Sequence, residues 1–124
     1  MDTDTLVHRY YELANAGDWD AWCDLFAADA AMDEQLAGRV EGRETLREMM
    51  KGFPEAYERF ANVPRHFVVN GEQAAVISHI SGRTFAGATV EADVCNYFQV
   101  VDGQIVYFAN YHDSAPFAAV LGKE

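Results

Sequence analysis

VVNGEQAAVISHISGRTFAGATVEADVCNYFQVVDGQIVYFANYHD, residues 68–113, decides the fold of this chain. Apolar and polar residues alternate along it with the period of two that is typical of half-buried strands. The turn signals that divide it are Asn70-Gly71, Gly87 and Asp102-Gly103. The predicted strands are 62–69, 73–86, 88–101 and 104–113. Because strands of this length must twist and coil, we expect a curved antiparallel meander.

The part of the chain before the predicted meander begins with apolar residues at helical spacing. From Asp4 to Asn15 the apolar residues recur every three or four positions, and Gly17 follows where a helix ends in a left-handed residue. Tyr10 lies on the inward stripe of this predicted helix. A second, short helix begins after Asp18. Its predicted inward residues are Trp19, Trp22, Cys23 and Phe26.

The middle of the chain combines one strand and one helix. After Asp29 the period is two, which places Met32, Glu34 and Leu36 on one face of a first strand. Gly38 and Gly42 bracket a predicted turn. The pattern then predicts a third helix over 44–60, bent or broken at Pro54, and residues 114–121 are expected to form a last short helix. The whole chain, residues 1–124, is expected to be a single α+β domain with an apolar cavity between helices and sheet.

Composition narrows the classes of partner. The chain has 9 Lys plus Arg against 20 Asp plus Glu, a formal net charge of -11. Such a surface repels phosphate and anionic lipid, so we expect no nucleic acid and no membrane partner. Cys23 and Cys95 have no pairing motif and the four histidines have no metal-ligand spacing, so free thiols and no metal are expected. The start MDTDTLVHRYYE has no basic region followed by an apolar run, and no stretch is long enough to span a bilayer, so a cytoplasmic location is expected.

Two segments resemble a known superfamily. VHRYYELANAGDWDAWCDLFAADA, residues 7–30, is similar to the opening of bacterial ketosteroid isomerases, and GRETLREMM, residues 42–50, resembles the start of their third helix. These enzymes belong to the nuclear-transport-factor-like superfamily with SnoaL-like cyclases, limonene epoxide hydrolase and scytalone dehydratase. The resemblance implies a cystatin-like α+β barrel, in which a cone-shaped, mixed but largely antiparallel sheet wraps around three N-terminal helices.

The resemblance also implies a catalytic set. Tyr10 matches the tyrosine that donates to the oxyanion in ketosteroid isomerases, and Glu34 falls where they carry an aspartate base. Asn96 aligns, with one gap, with their second oxyanion donor, and alternation favours the inward face for it together with Phe98. A neutral amide donates at any pH but more weakly than a carboxylic acid.

The remaining wall of the cavity is predicted from alternation. Phe108, Asn110 and His112 share a face of the last strand, and His79 shares a face with Ile77 on the strand that begins near residue 73. Both faces are expected to point inward. The predicted substrate-binding residues are Met32, Met49, His79, Phe98, Phe108, Asn110 and His112.

Several functions are compatible with these residues. We expect a cofactor-independent enzyme that isomerises a small hydrophobic carbonyl compound by proton transfer at Glu34. The alternatives are a cyclase, dehydratase or epoxide hydrolase that uses His66, His79 or His112, or a binding domain without catalysis. A homodimer through the outer face of the sheet is expected from apolar residues predicted to point outward. These residues are Val90, Tyr97, Val101 and Val106.

Overall fold

The computed structural model describes residues 1–118 and residue 120. Its helices are α1 (Thr3–Ala16), α2 (Trp19–Cys23), α3 (Arg43–Met50) and α4 (Phe53–Ala56). Its strands are β1 (Phe26–Glu34), β2 (Gly38–Glu41), β3 (Tyr57–Asn70), β4 (Gln73–Thr84), β5 (Thr89–Val101) and β6 (Gln104–Tyr111). A short 3-10 helix covers Ala115–Phe117.

The six strands form one curved, unclosed sheet in the order β2-β1-β6-β5-β4-β3. All neighbours are antiparallel except β1 and β6, which run parallel. The last strand therefore lies in the middle of the sheet, between the first strand and the meander. This arrangement confirms the predicted α+β fold, a largely antiparallel cone with helices at its concave side.

Helix α1 has the ends that its sequence predicts. The side chain of Asp2 accepts a hydrogen bond from the backbone N–H of Thr5 at 2.7 Å, and Gly17 ends the helix with φ 72°. A side-chain cap of this kind contributes about 1 kcal/mol. The helix buries Leu6, Val7 and Tyr10 toward the sheet, which confirms the inward stripe.

Aromatic residues dominate the core between α1 and the sheet. Phe98 and Phe108 are almost completely buried, and the ring of Tyr10 lies 5.0 Å from the first and 5.6 Å from the second. Burial of one such phenylalanine contributes about 1.5–3 kcal/mol. The core therefore fixes Tyr10 against β5 and β6.

Two predicted element boundaries are wrong. Phe26 begins strand β1 and is not in helix α2, because it pairs with Ile105 on β6. The predicted helix over 44–60 ends at Met50; after a four-residue helix that includes Pro54, strand β3 begins at Tyr57. Proline in the first turn starts a new helix but cannot continue an old one.

The connection between β1 and α3 also differs from the prediction. The predicted turn bracketed by Gly38 and Gly42 contains strand β2, which pairs with β1. Leu36 lies in the turn before it and is exposed. At the other end, Ala115–Phe117 falls within the predicted helix over 114–121, whose residues 119 and 121 lie outside the described part of the chain.

Three predicted orientations are wrong as well, those of His79, Ile77 and Val90. Ile77 shares the outer face with His79 and is 38% exposed. His79 points to the outer face of the sheet, because the register pairs it with Asp93 and leaves the inward face of β4 to Val76 and Ser78. Val90, expected to point outward, is 2% exposed and packs inward against Phe117.

Candidate functional site

An apolar cavity of about 290 Å³ opens between the helices and the concave face of the sheet. Its polar lining residues are Tyr10, Glu34, Asn62, Asn96, Asn110 and His112. Among the described residues that line it, none is a lysine or an arginine. Its volume lies at the lower end of the range of about 300–1,000 Å³ for small-molecule sites. Two hollows of about 240 and 360 Å³ near α2 contain none of the predicted catalytic residues.

Tyr10 presents a protonated phenol to this cavity. Its side chain is 5% exposed, and burial raises its pKa well above the ordinary value, with smaller contributions from the neighbouring Tyr11 and Glu34. No hydrogen bond from the described residues stabilises its ionised form. Tyr10 is therefore a hydrogen-bond donor throughout the physiological pH range.

Glu34 contributes a carboxylate at the end of β1. Its Oε2 accepts hydrogen bonds from the backbone N–H groups of Leu36, at 2.8 Å, and Ala37. Its Oε1 is 3.5 Å from the amide nitrogen of Asn110, whose own oxygen accepts from the backbone of Gln35 at 2.7 Å. One carboxylate oxygen is thus held by the turn, and the other is only weakly bonded and can accept a proton.

Asn96 has the predicted inward orientation but different partners. It is 1% exposed and lines the cavity, and its amide nitrogen donates to the hydroxyl of Tyr11 at 2.8 Å and to Ser78 at 2.9 Å. The same nitrogen is 3.4 Å from the carbonyl oxygen of Val76. Both of its N–H groups are therefore bonded within the protein. They do not point to the hydroxyl of Tyr10, beside which a second donor to the same ligand oxygen would lie.

The predicted apolar wall residues have unequal positions. Met32 and Phe108 are buried and line the cavity, and Phe98 is buried behind Tyr10. Met49 also lines the cavity but is 46% exposed, which places it at the mouth. Met50 also lines the cavity, and three methionines in a lining allow the wall to adapt its shape.

Only one of the three candidate histidines lines the cavity. His112 lies in its wall and its ring is 4.7 Å from that of Phe117. His79 hydrogen bonds to Glu91 and Asp93 on the outer face of the sheet, and His66 is exposed on β3. Of these three histidines, His112 is therefore the one that can take part in a reaction in the cavity.

Sequence reasoning assigned no role in the site to several further residues that line the cavity, among them Trp22, Tyr57 and Asn62. Burial raises the pKa of Tyr57, and nearby Glu34 adds to the rise. The spacing of α2 indicated that Trp22 is inward, but Asn62 stood at the predicted start of a strand and had no distinguishing signal. The helical spacing over 44–60 indicated that Tyr57 is inward, although the residue begins strand β3.

The described residues contain no group of three or more His, Cys, Asp or Glu side chains that could hold a metal ion. In this part of the chain, no helix is both long and apolar enough to cross a membrane. Both cysteines are free thiols, Cys23 buried and Cys95 partly buried.

The curved, unclosed sheet with helices at its concave side is the architecture of the nuclear-transport-factor-like class of folds. Within that class, the model of the SnoaL-like domain matches residues 7–108, and the chain belongs to this family.

Three solved structures illustrate the similarity. A protein from Xanthomonas campestris pv. campestris, provisionally named a polyketide cyclase, is 27% identical with TM-score 0.82, and the match covers 95% of each chain. An NTF2-like protein of unknown function from Burkholderia pseudomallei K96243 is 17% identical with TM-score 0.84, covering 94% of each chain. A protein with a ketosteroid isomerase-like fold from Catenulispora acidiphila DSM 44928, in complex with trimethylamine, is 16% identical with TM-score 0.83, covering 96% of this chain and 93% of that one. No curated protein matches this chain.

Proposed function

We propose that this protein catalyses proton transfer on a small, neutral, hydrophobic carbonyl compound, with Glu34 as the base and Tyr10 as the donor to the carbonyl oxygen. The observation that carries the proposal is that both residues line one apolar cavity whose described lining residues include no cationic side chain. An apolar site strengthens the interaction of a hydrogen-bond donor with the charge that develops on the carbonyl oxygen.

The reaction follows from the two side chains. Oε1 of Glu34 removes a proton from the carbon next to the carbonyl group, and the electrons of the broken C–H bond form an enolate. The hydroxyl of Tyr10 donates to the enolate oxygen. In an isomerisation, Glu34 then returns the proton to another carbon of the conjugated system, so that no atom or electron is gained or lost. None of these steps uses a cofactor.

Asn96 has a different place in this proposal from the one that the resemblance implies. Because its N–H groups bond to Tyr11 and Ser78, we assign it to the wall behind the donor. Tyr10 is then the direct donor to the carbonyl oxygen.

Hydrogen exchange tests the proposal. Incubation of the protein with β,γ-unsaturated ketones in D₂O, followed by mass spectrometry, is expected to give deuterium at the carbon next to the carbonyl group. Glu34→Gln is expected to lower the exchange rate about 10²–10⁴-fold, and Tyr10→Phe about 10²-fold. Glu41→Gln on the exposed strand β2 makes the same chemical change outside the cavity and is the control. Equal exchange in the Glu34→Gln and Glu41→Gln proteins would contradict the proposal.

A polyketide-type cyclisation is the second candidate, supported by the 27% identity to the protein provisionally named a polyketide cyclase. It begins with the same proton removal, but the enolate carbon then attacks a second carbonyl carbon of the same molecule. Product analysis with a linear diketone and with a β,γ-unsaturated ketone separates the two reactions. Activity that survives Glu34→Gln but not His112→Ala would instead support a histidine-based dehydratase or hydrolase.

We also propose a homodimer through the outer face of the sheet. Ile77, Cys95 and Tyr111 lie side by side there on β4, β5 and β6, and Ile77 and Tyr111 are 38% and 59% exposed. Light scattering is expected to give twice the mass of the chain, and Ile77→Lys is expected to lower the measured mass.

The free thiols support a cytoplasmic location, which we propose for this protein. The net charge of -11 supports the absence of nucleic acid and membrane partners.

A further inference from the structure

Two polar atoms in the cavity wall have no partner among the described residues. The indole Nε1 of Trp22 and the amide Oδ1 of Asn62 are buried and make no hydrogen bond there. The two residues are 5% and 7% exposed, and both line the cavity. Because nearly all buried polar groups in folded proteins are paired, each unpaired group requires an explanation. Because both residues line the cavity, a ligand that reaches the two atoms from there would supply both partners.

Trp22 is held beside Tyr10 by aromatic packing. Its ring lies 5.3 Å from Tyr10 and 5.0 Å from Phe26. An indole N–H can only donate a hydrogen bond. The group that pairs with Trp22 must therefore be an acceptor, such as a hydroxyl, ether or carbonyl oxygen.

Asn62 is held in place by its main chain. The side chain of Asn15, at the end of α1, accepts from the backbone N–H of Asn62 at 2.6 Å and donates to its carbonyl oxygen at 2.9 Å. This clamp leaves the side chain of Asn62 free while it fixes the position of its Cα atom. The unpaired Oδ1 is an acceptor, so its partner must carry a hydrogen-bond donor.

The charges around the cavity restrict the ligand further. No Lys or Arg is found among the described lining residues, and Glu34 contributes a carboxylate. An anionic ligand would lose its hydration, would meet the carboxylate of Glu34 and would gain no lysine or arginine partner, which is unfavourable. A neutral hydroxyl group satisfies the acceptor on Asn62 and can also accept from Trp22.

We propose that Trp22 and Asn62 determine the specificity of the cavity for a neutral, hydroxyl-bearing ligand. The hydroxyl hydrogen is donated to Oδ1 of Asn62, and an oxygen of the ligand accepts from Nε1 of Trp22. This inference rests on the proposed function of the same cavity and narrows its substrates to hydroxylated carbonyl compounds and their enols.

Calorimetric titration with three probes of similar size tests the inference in the unaltered protein. 2-Naphthol can donate and accept, 2-methoxynaphthalene can only accept, and naphthalene can do neither. Because one neutral hydrogen bond changes affinity about fivefold, we expect Kd to increase about fivefold at each step of this series. Three Kd values within a factor of two, or no binding of any probe, would overturn the inference.

Variants assign each step to its residue. Asn62→Leu is expected to remove the difference between 2-naphthol and 2-methoxynaphthalene, and Trp22→Phe the difference between 2-methoxynaphthalene and naphthalene. The Kd of naphthalene reports any change in packing. Trp19→Phe makes the same change at a neighbouring lining residue, whose ring lies 5.3 Å from that of Trp22, and is expected to keep both ratios because its Nε1 is not a buried atom without a partner. If both differences persist in the variants, the assignment is wrong.

The outcome is separable from that of the proposed function. Glu34→Gln is expected to abolish hydrogen exchange and yet to keep both affinity ratios. Normal ratios without exchange would therefore support the recognition residues and contradict catalysis. Hydrogen exchange without the expected affinity ratios would support catalysis and contradict the recognition residues.

Discussion

Replacement of Asn96 by leucine distinguishes a structural role of this residue from a catalytic one. Leucine has the branched shape of asparagine and is larger, so the change removes the polar atoms without opening a cavity. It removes two hydrogen bonds, to Tyr11 at 2.8 Å and to Ser78 at 2.9 Å, at a site that is 1% exposed. At about 1 kcal/mol for each bond, the expected loss in the free energy of unfolding is about 2 kcal/mol.

Thermal and urea unfolding measure this loss. For a chain of this size, about 2 kcal/mol corresponds to a decrease of about 6–10 °C in Tm. Tyr11→Phe removes one partner of the same network, so the double variant is expected to lose less than the sum of the two single losses. Additive losses, or a change in the free energy of unfolding below about 0.5 kcal/mol for Asn96→Leu, would refute the network. A normal Tm with a large loss of hydrogen exchange would restore the catalytic interpretation.

Two further predictions concern the sheet. The hydrogen bond to Glu91, and next the one to Asp93, raise the pKa of His79. The stability that they provide is therefore present at low pH and is lost as pH rises beyond about 6.5, the ordinary pKa of histidine. The Tm of the unaltered protein is expected to fall between pH 6 and 8 relative to that of His79→Gln, and parallel curves of Tm against pH would contradict this. Gly82→Ala would place its Cβ 3.1 Å from Val90 and 3.2 Å from the ring of Tyr57, so we expect a loss of about 1 kcal/mol in urea unfolding and weaker ligand binding, whereas an unchanged unfolding midpoint would show that Tyr57 moves freely.

The fold was predictable because its patterns are local. The helical spacing around Tyr10 and the turns at Asn70 and Gly87 specify elements without reference to distant residues. Strand β2 was not predictable, because its four residues are too few to establish a period and the glycines beside it are typical of turns. Its existence depends on pairing with β1.

The candidate site was predictable only in part. Alternation gave the correct face for Asn96 but could not give its bonds to Tyr11 and Ser78, which come from two other elements. It failed for His79 because β4 carries apolar residues in both phases, Val76 and Ala74 as well as Ala75 and Ile77. The sheet register, not the sequence of β4 alone, selects the inward phase.

The clamp between Asn15 and Asn62 joins residues 47 positions apart. No local pattern could indicate it. A charged residue in place of Asn15 could not both donate and accept in this way, since an ionised carboxylate has only acceptors.

The position of β6 has a consequence for how the chain folds during synthesis. Strand β6, made after the other five, fills the gap between β1 and β5, so until residues 104–111 leave the ribosome both of those strands have an open edge. Unpaired edges favour association with other chains. We therefore expect nascent or truncated chains that lack β6 to aggregate and to depend on chaperones, although the finished protein has these edges covered.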